Sequence, residues 1–362
     1  MARNLARGKL LPLLFIMAWH LDAQESKDPL LALRTLQLAE KPGAVPMVYP
    51  PSIEQRAIAY QKSLQAAYAW YLEQLKTHAP MKVLAVLDKE AWQKLQPGRP
   101  YPFTPYCLWA GAVIINADLD KLPGLCPGPL PGEFILFHET GHIFAHELKI
   151  ADSSFISEFV ANIFSAAYIL AERPDLKSVL DGPPPEKWPT PPRYTSLADL
   201  AYLYSSVGQA NYVWFQNELE RLAGLFMEGQ SLPKIIRELQ SAFPVGSEMS
   251  SGTSSRSISM EDVYARFERI RPGFRKMLGP LGAATTIRRI VPSTCPAGTN
   301  KIGVLVVQND VDDSLTVASF DGGPATMIPG HAWTKISSTV KLPNGSCLIP
   351  GDEPGLATLE NP

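Results

Sequence analysis

Histidine is scarce in this chain, with 6 in 362 residues, and cysteine is scarcer, with 4. No two cysteines stand in the Cys-x-x-Cys spacing of a structural zinc or thiol redox site. A charge excess of either sign is also missing: 33 Lys+Arg against 35 Asp+Glu leaves a formal net charge of -2, which gives no electrostatic case for binding nucleic acid. Past the first two dozen residues no run approaches 18 uninterrupted apolar residues, so no stable membrane span is expected. There is no internal repeat. The chain is longer than an average domain and 46% hydrophobic, ample for a core, so function has to be read from a site.

The N-terminus has the layout of a signal peptide. Arg3, Arg7 and Lys9 precede an apolar run from Leu10 to Trp19, and a cut near Ala23 follows. The run is short, contains Pro12, and has no cysteine after it for lipid attachment, which points to a secreted or periplasmic protein. In an oxidising compartment Cys107, Cys126, Cys295 and Cys347 allow two disulfides in three connectivities, with proximity favouring Cys107 with Cys126 and Cys295 with Cys347.

The strongest signal is the pentad His138-Glu139-Thr140-Gly141-His142. A helix repeats every 3.6 residues, so i and i+4 share a face, and both imidazoles can reach one cation while Glu139 reaches a water on it. Pro131-Gly132-Glu133 supplies a helix start, and Phe134, Ile135, Leu136, Phe137, Ile143 and Phe144 give it a buried, apolar body. Two histidines and a glutamate in such a segment are expensive unless hydrogen-bonded or metal-bound. The bland alternative is a helix with satisfied core histidines. A catalytic zinc needs a third protein ligand. In the capped, apolar helix read over 152–164, Glu158 is the only ionisable residue after the cap, and Asn162 lies on its face, placed to accept a hydrogen bond from a ligand imidazole. His146 continues the four-residue spacing, but two four-residue steps put His138 and His146 roughly 12 Å apart along a continuous helix. It is read as a surface or second-sphere neighbour.

Over these residues, His138 to His142 and Ser157 to Asn162, the chain resembles the gluzincin metallopeptidases, and more loosely secreted bacterial peptidases of the peptidase MA-like type through Tyr204 to Phe215. The resemblance implies zinc held by His138, His142 and Glu158, with Glu139 as general base. The family often has an aspartate where this chain has Asn162. The implied activity is hydrolysis of a peptide or protein substrate by a zinc-bound water, with an oxyanion donor sought among Tyr194, Tyr202, Tyr204 and Tyr212. The other reading is a non-catalytic exported binding protein that retains the gluzincin scaffold.

The expected fold is α+β. A signal peptide over 1–23 precedes a zincin-like metallopeptidase domain over 24–282, with a long amphipathic helix over 53–77, a strand over 81–87 and then the motif helices. The strand read over 110–117 is either the edge that pairs with extended substrate or a buried internal strand. Pro-rich 183–192 and Ser-rich 246–257 read as loops. After Gly282 short strands alternate with Asn, Asp, Gly and Pro turns, which describes a small C-terminal all-β domain over 283–362.

Overall fold

A computed structural model describes residues 33–95, 106–108, 111–118, 132–150, 154–182, 188, 192, 194–203, 209–244 and 260–283, with seven further strands between 305 and 358. The structure is mixed α/β and mostly helical. The leader region lies outside the described residues, as do Cys126, Cys295 and the side chains of Cys107 and Cys347, and so do both proposed disulfides.

A five-stranded sheet is built from β1 (Ala39–Lys41), β2 (Met47–Tyr49), β3 (Val83–Leu87), β4 (Tyr106–Leu108) and β5 (Ala112–Asn116), in the order β1-β2-β3-β5-β4. β2, β3 and β5 are parallel, and β1 and β4 flank them antiparallel. All five residues of β3 and all five of β5 are buried, as expected of apolar strands covered on both faces. The two-residue period splits them: Leu84, Val86, Val113 and Ile115 join the main core, while Val83, Ala85, Leu87, Ala112 and Ile114 join a smaller one with Leu33 and Trp92. β5 is therefore the internal strand of the two options above, paired on both sides, and the edge next to it is β4.

The long helix, α1 (Glu54–Leu75), buries Ala57, Tyr60, Gln61, Leu64, Ala67, Tyr68 and Tyr71, a stripe stepping by three and four residues. It ends at Lys76, whose left-handed φ of 50° lets its N–H reach the Leu72 carbonyl. Short α2 (Lys89–Leu95) carries Trp92 onto the back of the sheet. α3 (Gly132–Glu147) bears the pentad and α4 (Ser154–Glu172) bears Glu158. Tyr71 ties α1 to both: its hydroxyl donates to the Phe164 carbonyl at 3.0 Å, and its ring meets Phe144 and Phe164 edge-on, each at 5.3 Å.

α4 is apolar enough over Phe155–Glu172 to cross a membrane by length and composition, yet 78% of that stretch is buried inside the protein, and a core helix meets the same description. It packs on α6 (Gln209–Met227), reached through α5 (Leu197–Leu203). α7 (Leu232–Ala242), α8 (Met260–Ile270) and α9 (Phe274–Met277) close the helical side. There Phe159 of α4 meets Phe226, Phe267 and Phe274 at 5.3–6.1 Å, fixing the roll of α4 from the position next to Glu158. The remaining strands, β6 (Leu305–Gln308), β7 (Leu315–Ser319), β8 (Thr326–Ile328), β9 (Trp333–Ile336), β10 (Val340–Lys341), β11 (Cys347–Pro350) and β12 (Gly355–Thr358), pair in the order β8-β7-β10-β11-β12-β6-β9.

α3 and α4 approach closely at Gly141. A Cβ there would sit 2.9 Å from both the Ala161 carbonyl oxygen and the Phe164 Cβ, so glycine sets the helix spacing. Helix propensity alone makes Gly141→Ala stabilising by about 1 kcal/mol. Overpacking against backbone should reverse the sign and cost about 1–3 kcal/mol, read as a lowered thermal midpoint. A raised midpoint would show that the two helices are not in contact there.

Candidate metal centre

The spacing set by Gly141 brings the polar stripe of α3 onto that of α4. His138 and His142 face the same way, their ring centroids 4.7 Å apart and nearly perpendicular. Glu158 comes up between them, its Oε2 3.2 Å from His138 Nε2 and 3.8 Å from His142 Nε2, and the two Nε2 atoms are 3.1 Å apart. One donor atom from each of His138, His142 and Glu158 lies within 4.8 Å of the others, making a group able to hold a metal ion. His138, Glu139 and Glu158 are 9%, 5% and 8% exposed, so these polar groups are held out of water. His146 is exposed near the end of the unbroken α3 and is not part of the group.

Each imidazole is oriented from behind. Asn162 Oδ1 lies 2.7 Å from His138 Nδ1, and because an amide oxygen only accepts, that ring nitrogen carries the proton. Ser157 Oγ lies 3.1 Å from His142 Nδ1. Both arrangements turn Nε2 towards the centre, as in metal sites whose histidines are oriented through their other nitrogen.

Without a metal, a proton takes the place of the cation. Burial works against an imidazolium at His138, but the hydrogen bond and charge of Glu158, the charge of Glu139 and the bond to Asn162 outweigh it and raise His138 to about 9. Burial and the charge on His138, against the pull of Glu158, hold His142 down at about 4. The raised His138 stabilises the metal-free fold fully below its ordinary value near 6.5, and that contribution is lost as pH rises through about 9.

α6 closes the site from the third side with residues the sequence reading passed over. Gln216 Nε2 donates to Glu158 Oε2 at 2.7 Å and to the Tyr212 hydroxyl at 2.7 Å, and its Oε1 accepts from Asn162 Nδ2 at 3.4 Å. One turn on, Glu220 is 3% exposed, and its Oε2 has no hydrogen-bond partner among the described residues. Tyr212, Gln216 and Glu220 step by four and so share one face of the helix, a signal the sequence did contain. Tyr194 is tied to the same helix through its backbone, its N–H and carbonyl both bonding the Asn211 side chain, at 2.8 and 2.9 Å. The side chain of Tyr202 and all of Tyr204 lie outside the described residues.

No protein-family model matches this chain, and no curated protein does. Among solved structures, one similar to it is the aminopeptidase A of Legionella pneumophila in complex with aspartic acid, at 12% identity and a TM-score of 0.37, covering 83% of this chain and 35% of that one. The chain thus spans about a third of that protein's length.

Two imidazole nitrogens and one carboxylate oxygen form a donor set that a divalent cation, zinc among them, accepts.

Burial pushes Glu220 up to about 8, with the nearby charge of His138 opposing. A carboxyl whose folded value lies above its unfolded one destabilises the fold increasingly as pH rises from the unfolded value towards the folded one. In chelator-treated protein, Glu220→Gln should therefore gain stability relative to wild type at pH 8 over its effect at pH 5, by a few kcal/mol at most, on the order of 1.4 per unit of displacement. Thermal melts at the two pH values measure this, and an effect independent of pH would mean that Glu220 is not desolvated.

Proposed function

We propose that this chain is a zinc-dependent metallopeptidase of the gluzincin kind, hydrolysing peptide bonds in a peptide or protein substrate. The observation that carries the reading is the convergence of His138 Nε2, His142 Nε2 and Glu158 Oε2, with the buried Glu139 on the same helix. When bound, zinc supplies a Lewis acid and a water of lowered pKa. The chain's own residues do the rest. His138, His142 and Glu158 hold the ion, Asn162 fixes His138 in the tautomer that presents Nε2, and Ser157 orients the ring of His142 from behind. Glu139 takes a proton on its carboxylate as the scissile carbonyl is attacked and returns it to the leaving amine. Tyr212, whose hydroxyl oxygen accepts from Gln216, is linked to the donor cluster among the described residues and is assigned as the donor to the oxyanion. Strand β4, which pairs with β5 alone among the described strands, offers an edge on which an extended peptide can add.

Export belongs to the same proposal. It is supported by the basic-then-apolar layout of residues 1–23, with 24–282 as the peptidase domain and the strands of 283–362 as an accessory β domain. A non-catalytic scaffold has no use for a buried glutamate at position 139, which separates the two function classes by experiment.

Metal-loaded wild type should hold about one zinc per chain by elemental analysis. Glu139→Gln should keep that zinc and lose at least about a hundredfold in hydrolysis of an unstructured protein substrate, the scale of a general-base contribution. Wild-type turnover in that variant would sink the mechanism, and a wild type that binds zinc but cleaves nothing would favour the binding scaffold.

A further inference from the structure

Asn162, which stands where the gluzincins often carry an aspartate, acquires a reason from its neighbours. Its Oδ1 faces His138 Nδ1 at 2.7 Å, so its Nδ2 must face the other way, where Gln216 Oε1 accepts at 3.4 Å. That contact fixes the second amide in turn: Gln216 Nε2 is left for Glu158 Oε2 and Tyr212 Oη, both at 2.7 Å. Every bond then runs in one direction, from the ring N–H of His138 through two neutral amides to the carboxylate of Glu158. The relay joins two of the three metal donors from behind. Its His138–Asn162 end is buried, with Asn162 1% exposed, and its Gln216 links are part-buried, so a mismatched link is costly.

We propose that Asn162 and Gln216 are positioning residues forming a directional amide relay between His138 and Glu158, and that this direction requires an amide, not a carboxylate, at position 162. A carboxylate there would still accept from His138 and make it a better ligand. It would also turn a second acceptor towards Gln216 Oε1. If Gln216 flipped to satisfy it, Oε1 would face the Glu158 carboxylate. Either way two acceptors meet with no donor between them. The relay thus couples position 162 to Glu158 through Gln216, and this inference rests on the zinc reading proposed above.

The test is a double-mutant cycle of Asn162→Asp and Gln216→Leu in the full chain, with zinc affinity read by competition with a chromogenic chelator and the fold checked by circular dichroism. Competition between zinc and protons at His138 is common to both backgrounds and cancels. Asn162→Asp should cost at least about tenfold more zinc affinity in the wild-type background than in the Gln216→Leu background, where the opposing acceptor is gone. Effects equal within about twofold would overturn the relay. Gln216→Met repeats the cycle should the leucine variant fail to fold. The thermal midpoints of chelator-treated proteins give a metal-independent reading: Asn162→Asp should lower the midpoint more with Gln216 present than without it. Coupling in the midpoints with no zinc bound by wild type would keep the relay and reject the zinc reading, while additive midpoints and additive affinities would reject the relay itself.

Discussion

The site depends on one contact, the close approach of α3 to α4 at Gly141. With no side chain at that position, the Ala161 carbonyl and the Phe164 side chain come as near as backbone geometry allows. At that spacing the imidazoles of one helix and the carboxylate of the next bring their donor atoms within 4.8 Å of one another. Aromatic rings lock both helices: Tyr71 wedges against Phe144 and Phe164 at their seam, and Phe159 sits in the cluster with Phe226, Phe267 and Phe274. Those contacts fix the roll of each helix, and the roll decides that His138, His142 and Glu158 point at one another.

The electrostatics follow from this enclosure. Burial acts on each group according to its charge, and specific neighbours then decide the outcome. It drives His142 towards the neutral form and Glu220 towards the protonated acid, while the Glu158 carboxylate overrides it at His138 and keeps a positive charge at the centre. Without metal, the centre is an imidazolium paired with a carboxylate, with a neutral imidazole completing the trio. Exchange of that proton for a divalent cation would replace the His138–Glu158 hydrogen bond with bonds from both groups to the ion and add one charge, while the two amides behind the site are neutral in either state.

The parts of the site legible in the sequence lie within short, strongly periodic stretches. The i, i+4 spacing of His138 and His142, the isolation of Glu158 in an apolar helix and the shared face of Asn162 all follow from one helical repeat, and the structure brings these four residues together. The same repeat kept His146 out, and it is exposed. Helix α1 and strand β3 were legible for the same reason. Local periodicity carries no information on which helices touch, so Gln216 and Glu220, more than fifty residues beyond Glu158, went unread although their four-residue spacing was visible. Nor could the apolar run of β5 declare itself edge or interior, since that depends on a partner, β4, of only three residues.

The central claim is that His138, His142 and Glu158 together present two imidazoles and one carboxylate to a single zinc. X-ray absorption at the zinc edge of the metal-loaded chain addresses it most directly. The account predicts a shell of nitrogen and oxygen scatterers alone, with the multiple-scattering pattern of two imidazole rings. A third imidazole, which would bring in His146, or any sulfur in the shell would contradict it.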